Sequence, residues 1–149
     1  MGAKYAVTAQ KSVTTGYTTA GLITGGTGSR TRIYDVLFGQ GGTPADNVVT
    51  WLLQRFTAPG TSTSVVPIAL NPADPASRAT GGQNSTVEPT YTAAAELIEL
   101  PINQRGSYRW VASPGGELVI PATAANGIGA AVLSPAYTGS ALVTFHFEE

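Results

Sequence analysis

The chain has 149 residues and a formal net charge of −1, and only 11% of its residues are charged, against about 25% in ordinary domains. That length suits one domain around one core, and the near-zero charge argues against a nucleic acid or an acidic membrane as partner. At 42% hydrophobic residues the chain is too apolar to be disordered. Cysteine is absent, which removes disulfides and thiolate chemistry and leaves the compartment open. The start, M-G-A-K-Y-A-V, carries no apolar run of signal-peptide length. No stretch approaches the ~20 apolar residues of a membrane span. A free surface with so few charges is poorly solvated, so much of it is expected to be covered in an assembly.

Residues 1 to 29 are rich in Thr and Gly. Weak strand character sits at Lys4–Val7 and Thr18–Thr24, and Gly25-Gly26-Thr27-Gly28-Ser29 reads as a flexible joint. A solvated tail holds few apolar residues, whereas this segment carries Tyr5, Val7, Tyr17, Leu22 and Ile23. It is therefore expected to be an extended N-terminal arm lying on a partner subunit, with those five residues as its candidate interface. Residues 30 to 149 are expected to form the domain.

Arg30 to Phe38 reads as the first core strand, with Tyr34, Val36 and Phe38 on one face. Val48 to Leu70 holds two apolar runs separated by Pro59-Gly60 within a Thr/Ser cluster, as two strands and a turn do. The first run is apolar on both sides, with Val49, Trp51 and Leu53 opposite Val48, Leu52 and Phe56. Each face then needs a cover, and a neighbouring subunit is the expected one for the second. Trp51 is expected in the core. Pro67 donates nothing to a ladder, so the second run reads as an edge strand or as bulged there. Asn71 to Pro89 reads as a long Pro/Gly-rich loop, with Asp74 capping a short helical turn over Pro75-Ala76-Ser77.

Further strands follow at Ala95–Ile102, Tyr108–Ala112, Leu118–Ile120 and Ile128–Leu133, divided by turn signals such as Asn126-Gly127. Ala141–Glu148 alternates cleanly, with Val143, Phe145 and Phe147 inward and Leu142, Thr144, His146 and Glu148 outward. From Arg30 on, the strands are 30–38, 48–56, 64–70, 95–102, 107–112, 117–120, 127–133 and 141–148. They predict an all-β fold: an eight-stranded antiparallel jelly-roll β-sandwich.

Catalytic constellations are missing from the pattern. The one histidine, His146, builds neither a metal site nor a Ser–His pair by itself, and on an outer face it reads as a surface residue whose loss changes little. Asp35, Asp46, Asp74, Glu88, Glu96, Glu99 and Glu117 are scattered, and Glu96 and Glu99 fall on opposite faces of one strand. The glycine runs at 25–28 and 39–42 lack the strand-to-helix context of a phosphate loop. Arg55, Arg105 and Arg109 beside Trp51, Tyr108 and Trp110 are too few for a nucleic-acid surface. No catalytic residue, metal site or cofactor is therefore expected. Exposure of Trp51, Trp110 or Tyr108 would suit a carbohydrate-binding module. A cupin-type metal enzyme would need several histidines.

One likeness adds to this reading. It is carried by Thr43-Pro44-Ala45-Asp46, Arg55-Phe56-Thr57, Gly60-Thr61-Ser62, Ala69-Leu70-Asn71-Pro72-Ala73-Asp74-Pro75-Ala76, Glu88-Pro89-Thr90-Tyr91, Asn103-Gln104-Arg105, Arg109-Trp110-Val111-Ala112 and Leu118-Val119-Ile120-Pro121-Ala122-Thr123. In these stretches the chain resembles structural proteins of tailed bacteriophages, especially small jelly-roll decoration or cement proteins. The resemblance implies a non-enzymatic virion component made in the host cytoplasm. It would bind the major capsid protein on the outer capsid surface, as a homo-oligomer, often a trimer, without cofactors. A tail or neck structural protein, or a carbohydrate-binding module on the virion, is the alternative it leaves.

Overall fold

A computed structural model describes residues 2–13, 16–134 and 139–149. These residues form twelve strands and no helix: β1 (Lys4–Val13), β2 (Gly16–Thr24), β3 (Thr31–Gly42), β4 (Val48–Ala58), β5 (Thr61–Val65), β6 (Ile68–Ala69), β7 (Thr80–Val87), β8 (Thr90–Asn103), β9 (Tyr108–Val111), β10 (Leu118–Ile120), β11 (Gly127–Ser134) and β12 (Gly139–Glu148). They pair antiparallel into two sheets that pack as a β-sandwich. The first sheet runs β10-β3-β12-β1-β6, with β9 also on β3; the second runs β5-β7-β2-β11-β4-β8.

The core follows from period-two alternation. Tyr5, Val7, Ala9 and Val13 of β1 meet Val143, Phe145 and Phe147 of β12 on the inner face of the first sheet. Val49, Trp51 and Leu53 of β4 and Ile128, Ala130 and Val132 of β11 supply the inner face of the second. Trp51 is fully buried, as expected, and packs against Phe38 with ring centroids 5.2 Å apart. Its indole N–H has an acceptor in the Gln40 amide oxygen at 2.5 Å, in the amide orientation that also lets Gln40 donate to Gly106 and Gln104 carbonyls.

The expected N-terminal arm instead supplies one strand to each sheet of the sandwich. β1 pairs with β12 along its whole length, from Lys4↔Glu148 to Val13↔Gly139, and β2 lies between β11 and β7. Tyr5, Val7 and Ile23 are therefore core residues, and Leu22 is buried on the other side of the second sheet. Gly21 makes this packing possible. A Cβ there would stand 2.5 Å from the Ala9 Cβ and 2.7 Å from Val143 Cγ1, so only a bare backbone lets the sheets close at that point.

The expected loop over Asn71 to Pro89 contains β7. Thr80-Gly81-Gly82-Gln83 has no apolar alternation, yet it is held from both sides by β2 and β5. No helical turn forms at Pro75-Ala76-Ser77. The turn lies earlier, where the Asp74 N–H donates to the Asn71 carbonyl and the Ala73 N–H to Asn71 Oδ1. Tyr5 then donates to the Pro75 carbonyl at 2.9 Å, and the Glu149 carboxylate accepts from the Arg78 and Ala79 N–H groups, which fastens the crossing to the sandwich.

The second face of β4 is covered within the chain at one end. Register shifts and a positive φ of 53° at Ala94 bend β8. Tyr91 consequently lies across the outside of the second sheet, edge-on to Phe56 at 6.3 Å and against Gly129. Phe56 is buried beneath it, whereas Leu52 is half-buried and Val48 is 50% exposed, so the chain itself covers only the Phe56 end of this face.

Candidate functional site

Three surface features stand out, and two are closed on themselves. On the outer face of the first sheet, Asp35 of β3 is buried. Arg109 of β9 donates to it twice, Nε to Oδ1 at 3.0 Å and Nη2 to Oδ2 at 2.7 Å. His146 of β12 reaches Oδ2 through Nδ1 at 3.0 Å, and because a carboxylate only accepts, that nitrogen carries the proton. Hydrogen bonding from Arg109 holds the Asp35 carboxyl below its usual range, against the opposing effect of burial, with His146 adding in the same direction. Tyr34 stacks on the His146 ring at 6.3 Å, and the Lys4 ammonium stands 5.4 Å from the Tyr34 ring centroid. Both oxygens of Asp35 are engaged. The expectation of a dispensable surface histidine therefore gives way to one that helps to secure a buried charge.

On the outer face of the second sheet, the pairing of β2 with β11 shifts at Ala20, and the Thr19 N–H points out of the ladder. Glu88 accepts it on both carboxylate oxygens, at 3.1 and 3.0 Å, together with the Thr18 and Thr19 hydroxyls. The hydroxyls of Thr19 and Tyr91 are 2.7 Å apart. Tyr17 sits edge-on to Tyr91 and donates to Gln54 Oε1 at 3.3 Å; burial pushes its phenol up to about 12. A carboxylate closing a β-bulge is a structural fastening, with no lone pair turned to a substrate.

The third feature is apolar. Val66, Ile68 and Leu70 alternate with the half-buried Pro67 and Ala69, and they are 77%, 70% and 51% exposed. They surround β6, the outermost strand of the first sheet. Pro67 marked this run in the sequence as an edge or a bulge; nothing there separated an outward apolar stripe from a core strand.

The five candidate interface residues are not brought together. Tyr5, Val7 and Ile23 lie in the core, Leu22 is buried, and Tyr17 alone is exposed, at 39%. Of the basic and aromatic residues, Tyr108, Arg109 and Trp110 follow one another in β9, with Tyr108 exposed, and the others lie apart. Trp51 is interior, and Trp110 is half-buried against the core. Arg55 donates to the Val119 carbonyl, and Arg105 turns to Asp46 at 3.5 Å in solvent. Among the described residues no three His, Cys, Asp or Glu side chains are grouped as metal ligands. Set beside known proteins, the chain matches no family model, no curated protein and no solved structure.

Proposed function

We propose that the sandwich is a jelly roll and that the chain is a non-enzymatic structural protein of a phage virion, one that decorates the head by binding the major capsid protein. The pairing β1–β12, β2–β11, β3 with β9 and β10, and β4–β8 supports the topology. These rungs fall alternately in the first and second sheets, as when one long antiparallel ribbon is rolled up. On this reading, the segment from β5 to β7 is an insertion between the strands of the fourth rung.

The observation that carries the function is the exposed stripe Val66, Ile68 and Leu70 at the rim of a chain with 11% charged residues. Outward apolar side chains on an edge strand are costly in a free monomer and useful at a contact. The stripe takes over the attaching role that the N-terminal segment cannot fill from the core. A homo-oligomer, with the trimer as first expectation, would present several such stripes to a repeating shell and gain avidity. The triple variant Val66→Ser, Ile68→Thr, Leu70→Ser should keep the wild-type thermal transition and lose binding to purified heads. Undiminished decoration by this variant would remove the stripe from the interface. Binding to isolated tails in place of heads would move the protein there.

A further inference from the structure

We propose that a notch beside β1 binds a single extended peptide segment of a partner protein as an added strand. The site is separate from the Val66–Leu70 stripe, and it does not depend on the partner being a capsid.

The free edge of β1 carries the argument. On one side β1 is fully paired with β12; on the other, β6 covers only Tyr5 and Ala6. Among the described residues no strand pairs with Val7–Val13 on that side. The Lys4 carbonyl accepts from the Leu70 N–H, and the Gln10 N–H turns to Gln83 Oε1 at 3.3 Å. Even-numbered residues therefore direct their backbone groups outward. Thr8, Gln10 and Ser12 present a row of donors and acceptors at strand spacing, and the complement of such a row is another extended backbone.

Other edges are short or blunted. β5, β9 and β10 have five, four and three residues. The long edge strand β8 contains Pro101, charges at Glu96 and Glu99, and the bend at Ala94. Nothing comparable blunts β1. The one charge in its uncovered stretch, Lys11, is turned across the sandwich to donate to the Ser85 carbonyl.

The surroundings select a lone segment over a second folded copy. β1 packs across the sandwich on β2 and β7, and the second sheet continues beyond β7 to β5. That sheet therefore overhangs the free edge. The resulting notch, about 350 Å³ in volume, is lined by Gln10, Lys11, Ser12, Thr63, Gln83 and Asn84. β6 fills the equivalent position at the other end of the same edge, antiparallel to β1. One strand fits such a place; a second sandwich would collide with the overhang. The lining is amide, hydroxyl and one ammonium with no acid, which matches a segment of uncharged polar or acidic side chains.

A random dodecapeptide library panned on the immobilised full chain supplies the probe, with enriched sequences remade as capped synthetic peptides. Gln10→Pro deletes an outward N–H without touching the β12 ladder, whereas Gln10→Ala keeps it. Peptides should bind the wild type and Gln10→Ala alike, and Gln10→Pro about tenfold or more weakly, as loss of a backbone hydrogen bond in a desolvated ladder implies. On the wild type itself, bound peptide should slow hydrogen exchange at the Thr8 and Ser12 amides, a readout that survives if the proline variant misfolds. Failure to enrich any peptide, equal binding to Gln10→Pro in its folded state, or unchanged exchange at both amides would overturn the proposal. So would a concentration-dependent dimer that Gln10→Pro abolishes, since the occupant would then be a second copy. Peptide binding with no decoration of heads would count against the virion reading alone.

Discussion

Asp35 and Arg109 meet in a two-point ion pair in which the acid is buried and the base reaches into water, with side-chain exposures of 3% and 63%. Its geometry gives the pair a direction in pH. The folded-state carboxyl lies below its ordinary value of 3.8, so the stabilisation is whole above that value and is lost as pH falls through the folded one. Urea midpoints of the wild type should drop in this acid window. Asp35→Asn should lower the midpoint at neutral pH, by about 1–3 kcal/mol in stability, and lack that part of the acid loss. Parallel pH profiles for the two proteins would disconnect Asp35 from the acid transition.

His146→Ala tests the third member of the cluster. Loss of its bond to Asp35 Oδ2 and of the Tyr34 stack should cost about 1 kcal/mol. Chemical denaturation at neutral pH measures it. A midpoint identical to wild type would return His146 to the status of a plain surface residue.

Trp51→Ala should cost on the order of 3–5 kcal/mol, because a fully buried indole leaves a cavity between Phe38 and the β4–β11 pair. Calorimetry would register a lower Tm with the fold retained. An unaffected transition would be incompatible with the interior position of this ring.

Gly21→Ala should destabilise by about 1–3 kcal/mol through overpacking against Ala9 and Val143. The double variant Ala9→Gly, Gly21→Ala should recover part of the loss, since one of the two obstructing carbons is gone. Additive effects in the double-variant cycle would show that the two positions do not touch.

Deletion of residues 1 to 24 should abolish the cooperative thermal transition. It removes β1 from between β12 and β6, and β2 from between β11 and β7. A truncated chain that still melts cooperatively at the wild-type temperature would restore the reading of this segment as an appended arm.

The sequence by itself determined the class of fold and much of its inner lining. Alternation at Val143, Phe145 and Phe147, the breaks at Pro59-Gly60 and Asn126-Gly127, and the bulk of Trp51 are local signals, and strands form where they point. The choice of an edge or a bulge at Pro67 was equally local, because a missing N–H needs no partner to be known. Tertiary structure decided the rest. Whether a strand is central or appended depends on which remote backbone pairs with it: Tyr5 lies opposite Phe147, and no pattern within the first thirty residues encodes that distance. Their Thr and Gly content read as an extended arm, yet small residues are what close sheet packing requires at Gly21. β7 has no alternation of its own and is a strand because β2 and β5 complete its ladders. The position of Asp35, buried but secured by Arg109 and His146, joins three strands distant in sequence, and the Glu88 contact ties the connection between β7 and β8 to the bulge in β2. Side-chain periodicity is a property of neighbours along the chain; pairing partners, edges and buried charges are properties of neighbours in space.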